Sequence, residues 1–373
     1  NLQDVLRYHQ KFLLNITSMC FKNLFPGSNF SRRSVSLKIL ELIDEAIGFK
    51  NATFPLDEVV NECVLNRLKL CIFDSYDLNK KLATKLIISF NHQGIQGNFN
   101  PDTSFKLVLE LSQSLKPSNT SSAIYFLKIF LAYSEKLNIC CIENINDSHR
   151  VIDIISYFME IFDSHLKRAK ESLIECAGVA PMYGIAQILH GLIAEVPLVE
   201  FENHALWNTM IKRLVKICFQ ACEAVWPVVC SVSPEGLLPP SIEHSTFVAL
   251  YEAFDCHYNE QDASFNPGRA RAFASQMLLL CSWRTAKEAS LLLGYLCSVV
   301  NHCLPASSKI ADLDKLTLKN PEALTSLFDD EEILCSMDIV IIGYHFIHLL
   351  SEVKHRGAFE QVYVGFCQFV SHL

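Results

Sequence analysis

The stretch Ser31–Ile47 reads SRRSVSLKILELIDEAI, and within it Val35, Ile39, Leu42 and Ala46 recur at steps of four, three and four, with Ile43 thickening the stripe. Residues three and four apart lie one above another on a helix, whereas a strand would need alternation at two. The spacing therefore predicts an amphipathic helix with that stripe turned toward a core. Two more helical segments follow, Leu56–Phe73 and Ser75–Phe90, with Asp74 or Ser75 placed to cap the second. Asn91–Pro101, carrying Gly94 and Gly97, reads as a loop. Helices resume at Thr103–Leu115, at Ser121–Leu137 and from Asp147 through Leu192, the last run being long enough that Gly178 and Pro181 should divide it.

Beyond that point Trp226-Pro227 should end or kink a long helix, because proline lacks the amide that the helix ladder needs. Ser231–Ser241, with Pro234, Gly236, Pro239 and Pro240, reads as a stiff crossover, and His257–Gly268 as a polar loop. A helix over Arg269–Val300, an excursion over Pro305–Lys319, and helices over Glu331–Lys354 and Gly357–Leu373 complete the chain. Helices of this length joined by short polar turns match hairpin repeats with a period of about 40 residues. The expectation is an all-α, HEAT/ARM-like helical-repeat solenoid, with repeats over residues 1–230 continuing over 231–373.

Composition agrees. Half of the 373 residues are hydrophobic, 19% are charged, and there are only 13 Gly and 13 Pro, which favours long helices sharing large apolar faces. A net charge of −8 means that any nucleic-acid contact must come from a local basic patch. The 15 cysteines are scattered among apolar residues, as at Cys71, Cys176, Cys218, Cys297, Cys335 and Cys367, which suits small buried hydrophobes in a reducing compartment, cytosol or nucleus. Sequons at Asn15, Asn29, Asn51, Asn119 and Asn146 are short enough to arise by chance. The weakly charged run Ile339–Leu350 is too short to cross a bilayer, so no membrane insertion is expected. The chain lacks an initiator Met and opens on a helical pattern, which reads as a segment of a longer protein.

No phosphate-binding loop, nucleophile elbow or strand-to-helix glycine turn is legible, so no catalytic residue, metal or cofactor is expected. Cys218 with Cys222, and His345 with His348, lie one helical turn apart, but neither has a second pair at zinc-site spacing and both read as core or edge positions.

Five segments carry a resemblance. Phe25-Pro26-Gly27-Ser28-Asn29-Phe30 runs into Arg32-Arg33; Asp74-Ser75-Tyr76-Asp77-Leu78-Asn79-Lys80 follows. Then come Ser233-Pro234-Glu235-Gly236, the run Cys281-Ser282-Trp283-Arg284-Thr285-Ala286-Lys287-Glu288 leading to Leu291-Leu292-Leu293-Gly294, and His355-Arg356-Gly357-Ala358-Phe359-Glu360. In this order they resemble the central region of the THADA (thyroid adenoma-associated) family, the last three lying in its defining domain of unknown function. The resemblance implies a large cytoplasmic α-solenoid acting as the non-catalytic partner of an FtsJ-type 2′-O-methyltransferase on the tRNA anticodon stem-loop. Family members usually continue into an Arg-Arg-Ser-Ala-Gly-Leu-Pro stretch that this sequence does not contain.

Candidate tRNA or partner contacts are then Arg32 and Arg33, in a first helical turn where cations are disfavoured by the macrodipole, and Trp283, Arg284 and Lys287, with Glu288 spaced to pair Arg284 within one helix. His355 and Arg356, with Lys354, complete the set, at what reads as a helix end. Each has a plainer reading as a solvated charge or salt bridge, as do the runs Lys167, Arg168, Lys170 and Lys212, Arg213, Lys216. The alternative function is a protein-interaction scaffold of helical repeats without RNA contact, which the acidic balance favours.

Overall fold

The computed structural model describes residues 2–47, 60–90, 101–133, 150–196, 205–231, 267–303 and 336–372, and among them every regular element is a helix. The segments read as a crossover at 231–241 and as an excursion at 305–319 lie outside the described residues, apart from Ser231. The chain forms two compact units, Asn1–Asp147 and Ser148–Leu373.

The first unit holds α1 (Leu2–Lys22), α2 (Phe30–Ile47), α3 (Glu62–Cys71), α4 (Asp77–Phe90), α5 (Pro101–Ser112) and α6 (Pro117–Tyr133). Here α2, α4 and α6 lie side by side, and each packs on the helix before it. Helix starts in this unit follow local chemistry. The Asn29 side chain accepts from the Arg32 amide at 2.9 Å and the Asn61 side chain from the Val64 amide at 3.0 Å, satisfying N–H groups that a helix leaves open. Proline opens α5 and α6, where its missing N–H costs nothing, so Pro101, expected in a loop, belongs to α5; residues 91–100 lie outside the described residues.

The face of α2 differs from the expected one. Ser36, Leu37, Leu40 and Ile43 are buried, while Val35 and Leu42 are 57% and 61% exposed. The helix is apolar on two sides, and its partners α4 and α1 select the side one residue round from the stripe that spacing alone marks. Across the unit, Leu68, Leu86, Phe90, Phe105 and Phe130 are fully buried, and Phe21 meets Phe90 and Phe105 meets Phe130 with ring centroids 6.1 and 5.4 Å apart.

The second unit holds α7 (Arg150–Glu171), α8 (Leu173–Val179), α9 (Met182–Glu195), α10 (Ala205–Val229), α11 (Pro267–Cys303), α12 (Ser336–Glu352) and α13 (Arg356–Ser371). The long run from residue 150 divides at Ser172, whose hydroxyl caps α8, and at Ala180-Pro181; Gly178, expected as a divider, is buried inside α8. Pro227 lies in the last turn of α10, which ends at Val229.

The 37-residue α11 is the axis of this unit and packs against α8, α9, α10, α12 and α13. At its crossing with α13 the two backbones nearly touch. A Cβ on Gly294 would overlap the Gly365 carbonyl oxygen, and one on Gly365 would lie 2.8 Å from the Ser290 carbonyl carbon. Only residues without a Cβ permit that approach. Between α10 and α12 two ring pairs interlock, Phe219 with His345 at 4.3 Å and Trp226 stacked on His348 at 4.5 Å. Cys176, Cys218, Cys222, Cys281 and Cys297 are buried in this unit and burial raises their thiol pKa values, so they serve as apolar filling; Cys367 is exposed and Cys335 lies outside the described residues.

Two predictions follow from this packing. Replacing Gly365 with Ala forces α13 away from α11 and should destabilise the chain by about 1–3 kcal/mol, as overpacking does; an unshifted denaturation midpoint would refute the close crossing. Burial, with help from Arg168 and His348 respectively, lowers His165 from 6.5 to about 4 and His345 to about 3. Both rings stay neutral in the fold while the unfolded chain gains protons below about pH 6.5, so stability is full above that pH and falls as the pH drops toward 4. His345→Phe should flatten this fall in melting temperature, and an equal slope in the variant would show that His345 does not contribute.

Candidate functional site

The structure brings four of the five motif segments together in two pairs, one in each unit; Ser233-Pro234-Glu235-Gly236 lies outside the described residues. In the first, Arg33 of α2 meets Asp74 in the turn between α3 and α4. Its Nε donates to Asp74 Oδ2 at 2.9 Å and its Nη2 lies 2.8 Å from the same oxygen, while Nη1 donates to the Ser28 carbonyl and, at 3.3 Å, to that of Pro26. Asp74 is almost fully buried. It also accepts from the Tyr76 amide at 3.1 Å and the Asn79 side chain at 2.9 Å. Burial pushes its pKa up, but the bonds from Asn79, the Tyr76 amide and Arg33 outweigh that, and the carboxyl titrates below its ordinary value. Since α4 begins at Asp77, neither Asp74 nor Ser75 is its cap; Asp74 instead closes the turn ahead of it.

The same stretch reaches α6 through Lys80. Its buried ammonium donates to the Ser118 carbonyl at 2.9 Å and to the Ser121 and Ser122 hydroxyls at 2.9 and 3.0 Å, filling all three donor positions. Burial lowers its pKa, opposed by the charges of Asp77 and Asp74. Phe30 stacks on Tyr76 with centroids 3.5 Å apart. Beside this node a cavity of about 230 Å³ is lined by Leu24, Pro26, Arg33, Leu70, Phe73 and Asp74, among others. Arg32 is exposed, one position round the helix.

The second pair joins Trp283 of α11 to the corner between α12 and α13. His355 stacks on Trp283 with centroids 5.8 Å apart and an interplanar angle of 18°, and its Nδ1 accepts from the Ala358 amide at 3.1 Å, capping α13. The amides of Lys354 and His355 both donate to the carbonyl of Val229, at 2.9 and 3.1 Å, and so tie the corner to the last residue of α10. Lys354 and Arg356 are exposed. Arg356 is not at a helix C-terminus, where a cation would be favoured, but opens α13, and Glu360 one turn on accepts from its Nε at 2.8 Å.

Arg284 lies over Trp283, its guanidinium carbon 4.8 Å from the ring centroid, and 5.9 Å from that of Tyr183, a fully buried residue of α9. The expected intrahelical bond from Arg284 to Glu288 is not formed. Lys287 Nζ takes the buried Glu288 carboxylate instead, at 3.1 Å. The remaining basic runs disperse: Lys212 is buried, Arg213 pairs with Asp163 of α7, and Lys167 and Lys170 are exposed. Sequence reasoning marked both halves of each node without pairing them, and it missed Tyr183, which carries no local signal.

Comparison with known proteins adds the following. Residues 209–373 match the family model described as THADA/TRM732, DUF2428. The chain is 30% identical over 371 residues to a Drosophila melanogaster protein named tRNA (32-2′-O)-methyltransferase regulator THADA, covering 98% of this chain and 19% of that protein. A Gallus gallus protein of the same name is 28% identical, covering 100% of this chain and 21% of its own length. The Schizosaccharomyces pombe tRNA (32-2′-O)-methyltransferase regulator trm732 is 24% identical, covering 100% and 22%. The chain thus spans about a fifth of the length of these relatives. No solved structure matches.

Asp74→Ala should leave the part-buried Arg33 and the fully buried Asn79 without their shared acceptor and lower stability by about 3 kcal/mol, the scale for breaking a buried pair. Equilibrium denaturation followed by circular dichroism measures this, and a loss below about 0.5 kcal/mol, typical of an exposed pair, would mean the node does not hold the first unit together.

Proposed function

The chain belongs to the THADA family, and on that premise we propose that it is a segment of a non-catalytic regulator of an FtsJ-type tRNA ribose 2′-O-methyltransferase, holding the anticodon stem-loop for its catalytic partner. The observation that carries this reading is the similarity, over 98–100% of this chain and about a fifth of each relative, to proteins named tRNA (32-2′-O)-methyltransferase regulators. A regulator of that kind acts by orientation: fixing the target ribose against the partner's active site lowers the entropic part of the barrier. The hairpin order of α1 to α6 supports a HEAT/ARM-like solenoid, whose stacked helix pairs would offer an extended surface to RNA and partner. Cytoplasmic tRNA is the substrate in this reading, and Arg32, Trp283, Arg284, Lys287, His355 and Arg356 are the proposed contacts.

A second reading is a protein-interaction scaffold that touches no RNA. The exposed Phe359, Tyr363 and Val370, all on α13, favour it, as does the net charge of −8. Salt dependence separates the two, since phosphate contacts release counterions and apolar docking does not.

The deciding measurement is 2′-O-methylation of tRNA by the candidate methyltransferase, with and without the complete protein. The proposal expects methylation to depend strictly on the protein; equal methylation in its absence would overturn the proposal and leave the scaffold.

A further inference from the structure

Two of the candidate arginines lie in opposite circumstances, and the difference singles one out. Every nitrogen of Arg33 has an acceptor in its own unit: Asp74 takes Nε and Nη2, and the Ser28 and Pro26 carbonyls take Nη1. An incoming anion would have to displace a buried carboxylate that other donors hold in place. Arg33 is a clamp of the fold.

Arg284 is held by ring faces instead. The guanidinium carbon lies 4.8 Å from the Trp283 ring centroid and 5.9 Å from that of Tyr183, contacts that use none of its N–H groups. Its Nε is shut off from water and has no hydrogen-bond partner, and no hydrogen bond from its other nitrogens is formed among the described residues. The carboxylate best placed by spacing to satisfy it, Glu288, is engaged by Lys287 at 3.1 Å. The two terminal nitrogens of such a planar cation match the two non-bridging oxygens of a phosphodiester. Its surroundings are balanced in charge. Lys287 offsets Glu288 and Glu360 offsets Arg356, while Lys354 is exposed on the adjoining corner with Glu352 beside it, both acting on Cys230, so the only positive excess among these side chains comes from Arg284 itself. The start of α13 also lies against this cluster, since a Cβ on Gly357 would sit 3.8 Å from the Trp283 ring, and a helix start adds partial positive charge.

Resting on the reading of this protein as an RNA-contacting regulator, we propose that Arg284, stacked on Trp283, is the receptor for a backbone phosphodiester of single-stranded RNA, and that Arg33 contacts no RNA. The Trp283–His355 stack is the rigid backing that keeps the guanidinium in plane.

The test is direct binding of an anticodon stem-loop RNA to the complete protein across a salt series, for the wild type, Arg284→Ala and Arg284→Lys, with the methyltransferase assay run in parallel. Arg284→Ala should weaken binding about tenfold and reduce the steepness of the log–log salt dependence by about one. Arg284→Lys should keep more of the salt slope yet still lose affinity, because an ammonium cannot make the two-pronged contact; it also serves as the reporter if the alanine variant fails to fold. Wild-type affinity and slope in both variants would overturn the proposal. So would intact RNA binding with loss of methyltransferase capture, which would make the ligand a protein carboxylate. If the protein stimulates methylation but binds no stem-loop RNA, this inference falls and the regulator reading survives. If methylation is independent of the protein while Arg284→Ala still weakens RNA binding, the regulator reading falls and the Arg284 site stands.

Discussion

The second unit depends on the bare backbone contact between α11 and α13. With no Cβ at Gly294 or Gly365, two helices approach until glycine and serine carbonyls limit them. That crossing fixes the height and rotation of α13, and with them the position of its capping residue. His355 can then reach Trp283, and the carbonyl at the end of α10 can receive two amides of the corner. A helix held farther away would leave Trp283 without its stacking partner.

The two nodes solve one problem by different physics. Each fastens a turn to a neighbouring helix, and each uses an arginine. In the first unit the fastening is ionic and part-buried, and it holds because Asp74 is fully supplied with donors; a buried carboxylate with fewer would cost more than its pairing returns. In the second it is made of ring faces, which attract without consuming hydrogen-bonding groups. The first leaves its arginine neutralised, and the second leaves its arginine oriented but unanswered.

Buried thiols are held in the protonated form, and the histidines buried in the second unit are held neutral, by the same desolvation. These groups fill space between helices, and that is a packing role suited to a chain whose proposed business is to present a surface.

How much could be read in advance follows from the range of the forces involved. The sequence by itself determined that the chain is helical and roughly where each helix runs: Ser31–Ile47 emerges as Phe30–Ile47, and Arg269–Val300 as Pro267–Cys303. Helical periodicity, caps and prolines act within four residues, so they are written locally. Which side of α2 is buried, which cation takes Glu288, and which acceptor takes Arg33 were decided only by the tertiary structure. Val35 and Leu37 are equally apolar, and Arg284 and Lys287 are both in reach of one carboxylate. Such ties are broken by neighbours distant in the chain, because burial and ion pairing depend on what the fold brings to each residue.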